Sequence, residues 1–261
     1  MSPELTRKKN NIFILLSGIF ITNALIAEMI GVKIFSFENT LGFPPAQINI
    51  LGFIMDFNLT TGVVIWPVVF VTSDLINEYF GKPGVKRISY LTAGLIAYSF
   101  IVLFFSMNLS PASWWMDANS TDADGNYFNI DFAFNKIFGQ SQRIIIGSLT
   151  AFLIGQLVDV YIFQKLRKIT GTKKLWLRAT GSTLVSQLVD SFVVLFIAFT
   201  GIFSISQIIA IGITNYIYKF IVAIALTPLI YAGHYSINKY LGREHAQRIS
   251  DEASHKSQSF F

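Results

Sequence analysis

The chain has 261 residues, a formal net charge of +5, no cysteine and three histidines. Hydrophobic residues make up 52% and charged residues only 13%, against about 25% charged in a soluble domain, and mean hydropathy is +0.53; this is the composition of a membrane protein. The missing cysteine excludes disulfides, thiol catalysis and thiolate metal sites, and His234, His245 and His255 all lie at or beyond the last apolar run, so no metal and no cofactor is expected inside the membrane.

A helix needs roughly 20 apolar residues to cross the hydrocarbon core, and six such spans are read at about 11–31, 60–80, 87–107, 143–164, 179–200 and 208–232. The first follows Arg7, Lys8 and Lys9 like the start of a signal peptide. Its apolar run continues without an Ala-x-Ala site, which predicts an uncleaved helix. It carries Asn23 near its middle and Glu28 toward its outer end. The loop from Ile34 to Leu59 has too few apolar positions for a span and predicts a short extended hairpin lying on the bundle.

The second span ends in Val71-Thr72-Ser73-Asp74-Leu75-Ile76-Asn77-Glu78-Tyr79-Phe80-Gly81. Asp74, Asn77 and Glu78 are spaced i, i+3, i+4 and share one helical face. Polar groups at that depth are costly and mark a bundle interior or a solute path. Glu78, one turn from Lys82, reads either as a gate or as a helix-end partner of that lysine. The next long loop is acidic (Asp117, Asp122, Asp124, Asp131), places Trp114-Trp115 at headgroup level and predicts an interfacial helix over 131–138.

Spans four and five share a tetrapeptide, Gln156-Leu157-Val158-Asp159 and Gln187-Leu188-Val189-Asp190. In each copy Gln and Asp are neighbours on one face, and internal repeats with midplane polar residues recur in transporters, although chance or local packing also produces such a match. Gly147, Ser148, Ala151, Gly155, Gly181 and Ser182 predict close helix contact. Span six holds Asn215 and Lys219 on one face, with Tyr216 and Tyr218 beside them. At ~1.5 Å per residue Lys219 lies roughly 16 Å from the outer end, a depth that calls for a carboxylate partner. Asp190 is the first candidate by depth, with Asp74 and Asp159 as alternatives; such a pair would equally serve only to lock two helices. Pro67 and Pro228 are expected to kink their helices.

Lysine and arginine placement sets the topology. With six crossings, Arg7, Lys8, Lys9, Lys82, Lys86, Arg87, the group from Lys165 through Lys173 to Arg178, and Lys239, Arg243, Arg248 and Lys256 fall on one side. The other holds only Lys33, Lys136 and Arg143, which predicts cytoplasmic N- and C-termini. Residues 1–235 then form one transmembrane domain, and 236–261 a polar cytoplasmic tail with no expected part in function.

Trp66-Pro67, Ser73-Asp74, Asn77-Glu78 and Phe80-Gly81, followed by Gly155-Gln156, Asp159, Phe163 and Leu166-Arg167, then Leu175-Trp176-Leu177-Arg178-Ala179, Ser182-Thr183, Gln187 and Asp190-Ser191, resemble the vitamin uptake transporter family in its queuosine-precursor branch. The resemblance runs from about Asn23 to Pro228 and implies a six-helix, multi-pass importer of the bacterial inner membrane. Its implied solutes are 7-cyano- and 7-aminomethyl-7-deazaguanine, salvaged for queuosine in transfer RNA. It also implies kinship with substrate-binding subunits of energy-coupling-factor importers. The chain has no G-x-x-x-x-G-K-[ST] motif, so ATP coupling would need separate energising subunits, and a homo-oligomer is the other arrangement considered.

Independently of the family, a guanine-like edge offers adjacent N–H donors that a buried carboxylate accepts in bidentate fashion. Amides satisfy its carbonyl and ring nitrogens. The expected substrate-binding residues are Asn23, Asp74, Asn77, Gln156, Asp159, Gln187, Asp190, Asn215 and Lys219, with Trp66, Phe70, Tyr98 and Tyr216 as candidate ring-stacking walls. No nucleic acid partner is expected, since the basic residues group between apolar runs as orientation signals do. Two other readings stand beside this one. An intramembrane enzyme would use Asp74 and Glu78 as an acid–base dyad but shows no nucleophile or metal ligands. A substrate-binding subunit for another vitamin would work with separate ATPase chains.

Overall fold

The computed structural model describes residues 2–140, 142–171 and 174–258. Helix α1 (Pro3–Ile30) opens on Ser2, whose hydroxyl accepts the Leu5 N–H, with a proline in the first turn where its missing N–H costs nothing. The outer segment that follows holds β1 (Ile34–Ser36), α2 (Phe37–Leu41), β2 (Ile48–Ile50), β3 (Phe53–Met55), β4 (Asn58–Thr60) and a 3-10 turn over Thr61–Val64. Next come α3 (Trp66–Met107), α4 (Ser113–Ala118), α5 (Ile130–Phe138), α6 (Gln142–Thr170), α7 (Leu175–Phe199), α8 (Ile205–Ala225), α9 (Thr227–Leu241) and α10 (Arg243–Gln258). Among the described residues five helices, α1, α3, α6, α7 and α8, are long and apolar enough to cross a membrane. The protein is an all-α, multi-pass membrane protein with only short strands. Ile14, Leu15, Ile101, Phe105 and Ile221 lie exposed on the outside of these helices, as a lipid-facing surface requires.

α3 is bent back on itself. Gly81 has φ 67° and ψ −169°, a backbone region that is essentially glycine's alone. A Cβ on Gly84 would stand 3.4 Å from Ile76 Cγ2, whereas eight residues of straight helix would separate those levels by ~12 Å. The element is therefore two helical halves, 66–80 and 82–107, folded against each other at Gly81. Pro67 does not kink a helix but sits in the first turn of α3, where a fixed φ helps to start one. Pro228 does interrupt the sixth predicted span: α8 ends at Ala225 and α9 begins at Thr227, with Leu226 between them.

The outer segment contains the expected hairpin, β2 antiparallel to β3, turned through Leu51 and Gly52 at φ 55° and 85°, the signs a two-residue hairpin turn requires. A second ladder, β1 with β4, closes the segment's base. Inside it the buried Glu38 accepts the Phe57 N–H at 2.7 Å, the Ala46 N–H at 3.4 Å and the Ser36 hydroxyl at 3.3 Å. Burial pushes the Glu38 carboxyl up, but these hydrogen bonds outweigh it and hold it below the usual carboxylate range. The helix predicted over 131–138 is α5 (Ile130–Phe138).

The main core lies between α1, α3 and α6, around Phe20, Val69, Ile76, Ile88, Phe152 and Val160. α6 and α7 are antiparallel neighbours: Gly147 faces Val194 and Ile197, Gly155 faces Asp190, and Gly181 faces Leu166. The small residues thus bring the two backbones together, as their composition suggests. The polar segment after Ser236 differs from expectation. It is helical in α9 and α10, and α10 buries Ala246, Ile249, Ser250 and Ala253, packing chiefly on α3. Their i, i+3, i+4, i+7 spacing makes one stripe, which was hidden in the sequence because two of the four are alanine and one is serine. Lys173 of the basic group, and the last three residues of the tail, lie outside the described residues.

Candidate functional site

The antiparallel register of α6 and α7 gives the repeated tetrapeptide a geometric meaning. Asp190 comes level with Gly155 and Gln156, while Asp159 Oδ1 accepts the Ser186 hydroxyl at 3.3 Å and so lies level with Ser186 and Gln187. Each copy's aspartate thus faces the other copy's glutamine level. The first half of α3 closes this groove: Ser73 Oγ donates to Gln156 Oε1 at 2.9 Å, and Gln164 Nε2 donates to Asn77 Oδ1 at 2.7 Å.

Between these anchors is a buried cluster with unused hydrogen-bonding capacity. Asp74, Asn77, Asp159 and Gln187 are all at least nineteen-twentieths buried. Asp74 Oδ1 and Oδ2, Asn77 Nδ2, Asp159 Oδ2 and Gln187 Oε1 have no hydrogen-bond partner among the described residues. Thr183 stands beside Asp74, and Asp159 and Glu78 lie within electrostatic range of it, but nothing meets either Asp74 oxygen in hydrogen-bond geometry. Buried polar groups are almost always paired, and each orphan costs ~1–3 kcal/mol. Four acceptors and one donor left open on three helices make a site shaped for a donor-rich solute.

One helical turn along α3 from Asp74, Glu78 is spoken for. Arg178 meets it with Nε at 3.0 Å from Oε2 and Nη2 at 2.8 Å from Oε1, and Arg167 Nη1 lies 3.4 Å from Oε2. Arg167 also donates to the Glu78 carbonyl at 2.9 Å, and the Ser250 hydroxyl of α10 donates to Glu78 Oε1 at 2.9 Å. Glu78 is therefore the centre of a two-arginine knot rather than a helix-end partner of Lys82. Arg167 and Arg178 look in the sequence like members of the basic loop between spans four and five. Only their family motifs set them apart, and their burial to 3% and 1% exposure could not be read from that setting.

At the other end of the cluster, Lys219 Nζ lies 2.6 Å from Asp190 Oδ2, both half-buried. A crevice beside the lysine is lined by Trp66, Pro67, Phe70 and Tyr218, with Trp66 and Phe70 stacked at 5.9 Å and 18°. Further out, Glu28 accepts the Ser148 hydroxyl at 2.6 Å. Not every expected residue joins this track. Asn23 donates to the Ile19 carbonyl of its own helix at 2.8 Å. Asn215, on the same face as Lys219, is half-buried. Tyr216 donates to the Leu184 carbonyl, and Tyr98 is 63% exposed on the outer surface and forms no wall of the cluster. Among the described residues no group of three or more His, Asp or Glu could hold a metal.

A polar track buried through a bundle of long apolar helices, with open hydrogen-bonding atoms at its middle, defines a membrane protein that handles a small polar solute. Residues 60–233 match the family described as "Putative vitamin uptake transporter". The chain is 32% identical over 190 residues to the "Probable queuosine precursor transporter" of Bacillus subtilis (strain 168), covering 72% of this chain and 77% of that one. It is 28% identical over 177 residues to the "Queuosine precursor transporter" of Escherichia coli (strain K12), covering 66% and 70%. A "Probable queuosine precursor transporter" of Haemophilus influenzae is 28% identical over 198 residues, 73% of each chain. No solved structure matches. The chain belongs to the vitamin uptake transporter family, and it is a transporter rather than an enzyme.

Proposed function

We propose that the protein imports queuosine precursors of the 7-deazaguanine class, and that Asp74, Asn77, Asp159 and Gln187 hold the base. The observation that carries this reading is the set of open atoms in the cluster, four acceptors against one donor. The pyrimidine edge of a 7-deazaguanine offers an N1–H and a 2-amino group side by side, which a carboxylate accepts bidentately. Its O6 takes the Asn77 amide donor. Gln156 positions α6 against α3 through Ser73. Asp190 and Lys219 form its outer ion pair, and the Trp66–Phe70 stack lines the approach. Glu78 and its arginines form the floor.

The arrangement in the membrane follows from the same features. The fold-back at Gly81 makes α3 count twice, so the apolar helices give six crossings. Both termini then lie together with the basic loops on the cytoplasmic face of the inner membrane, by the bias of lysine and arginine toward that side. Residues 1–235 hold the membrane crossings, and α10 packs against them on α3. The names of the relatives support the same solute class.

The test uses cells that can neither make nor import 7-deazaguanines. Expression of this chain with either base supplied at low concentration is expected to restore queuosine in transfer RNA. No restoration with either base overturns the assignment.

A further inference from the structure

We infer that α10 is the inner gate of the transport site and that Ser250 is its latch. This rests on the transporter reading, in which the Asp74 cluster is where the solute sits. Asp74 and Glu78 are one helical turn apart on α3, so the Glu78–Arg167–Arg178 knot closes the cluster on the side of the membrane that carries α10. Ser250 touches both signs of charge in that knot. Its hydroxyl donates to Glu78 Oε1 at 2.9 Å and also meets Arg167 Nη2, while its carbonyl accepts from the same Nη2 at 2.7 Å. Asp251 lies 3.9 Å from Arg167 Nη2. The serine is 3% exposed, so it is packed into the knot rather than lying on its surface.

Two features distinguish a gate from a staple. The buried stripe of α10 is Ala246, Ile249, Ser250 and Ala253, which carries one large apolar side chain. A face that buries so little apolar area is held mainly by its polar contacts and belongs to the easily opened elements of a fold. The second feature is the hinge: Gly242, at φ 84°, is the single residue between α9 and α10. Lifting α10 breaks the Ser250 bonds but leaves Glu78 paired with both arginines, so no buried charge is stranded. Opening is therefore permitted without the penalty of an unpaired ion.

The chain has no cysteine, so a single introduced thiol reports access to the cluster. In vesicles of known orientation, Thr183→Cys, beside Asp74, is labelled with a membrane-impermeant maleimide from each side in turn. Adding Ser250→Ala, or separately deleting residues 243–261, is expected to speed labelling from the α10 side at least tenfold and to leave the opposite side unchanged. Unchanged labelling in Ser250→Ala and in the deletion overturns the inference. An equal rise from both sides overturns it too, since that marks general loosening. If the deletion does not insert, Ser250→Ala decides alone. Labelling needs no solute, so failure of 7-deazaguanine uptake would remove the proposed substrate while leaving this result standing.

Discussion

Arg178 grips Glu78 through two different nitrogens, Nε and Nη2, each on its own carboxylate oxygen at 3.0 and 2.8 Å, with both side chains almost fully buried. The pairing joins α7 to α3 across 100 residues of sequence and fixes the floor of the cluster. Arg178 Nη1 also donates to the Gly171 carbonyl at 3.0 Å, so it ties the end of α6 to the same point. A lysine cannot reproduce this fork.

Arg178→Lys is therefore expected to destabilise the fold, although the charge is kept. Glu78→Gln leaves two arginines facing each other with only the half-exposed Asp251, 3.9 Å from Arg167, as counter-charge and is expected to do worse. Removing one partner of a buried pair costs about 3–5 kcal/mol. Thermal unfolding of the purified protein in detergent should show a lower midpoint for both variants, larger for Glu78→Gln. Midpoints equal to the parent's would mean that the knot contributes nothing.

Asp74 predicts the opposite coupling of stability and function. Its two carboxylate oxygens are buried without partners, which costs the resting fold ~1–3 kcal/mol per orphaned group. Asp74→Asn keeps the shape, replaces the buried, unpartnered carboxyl by a neutral amide and is expected to leave the unfolding midpoint unchanged or raised. Loss of a charge-assisted bidentate contact should weaken binding of the base at least tenfold, roughly 1.4 kcal/mol. Calorimetry or a fluorescence titration checks the affinity. Binding at parental strength would remove Asp74 from the site.

Much of this was legible from the residues themselves. The long apolar runs, the hairpin at Ile48–Met55 and the small residues between α6 and α7 follow from hydropathy and turn chemistry alone. The Lys219 pairing with Asp190 followed from depth, because a lysine near mid-membrane needs a carboxylate at the same level. Two features were not legible, for separate reasons. Arg167 and Arg178 flank the α6–α7 turn, where cationic residues usually face headgroups, and only tertiary packing turns them inward onto Glu78. In α10 the buried stripe holds one isoleucine among two alanines and a serine, too weak a hydropathy pattern to give a periodic signal, so a docked helix reads as a polar tail. The break at Gly81 falls between the predicted spans 60–80 and 87–107, but its sharpness depends on a single positive φ that any glycine could supply.

Glu38 gives the outer segment a pH dependence. Its carboxyl is held below the ordinary value of 4.5 by hydrogen bonds from Phe57, Ala46 and Ser36, which outweigh burial. A depressed folded value means that the stabilisation is fully present above the ordinary value and is lost as pH falls through the lower folded one. Hydrogen-exchange protection over residues 34–60 should therefore hold at neutral pH and decline below pH 4.5. In Glu38→Gln, protection should be lower at neutral pH and nearly flat with acidity. An identical pH profile in parent and variant would show that another group orders the segment.

Lys219 and Asp190 are close at 2.6 Å yet only half-buried, beside a crevice lined by Trp66, Phe70 and Tyr218. A pair that merely locked α7 to α8 would be better sealed from solvent. In addition, α8 already packs tightly on α7 through Gly212, where a Cβ would stand 2.6 Å from Phe192 Cε1. The ion pair is thus not needed to hold the two helices together. Lys219→Ala and Asp190→Asn are each expected to cut uptake at least tenfold, while the protein inserts at parental levels. The double variant should be no worse than either single one, as for two groups acting in one step. Uptake in whole cells, normalised to the amount of inserted protein, checks all three. Parental uptake in both single variants would reduce the pair to a packing contact.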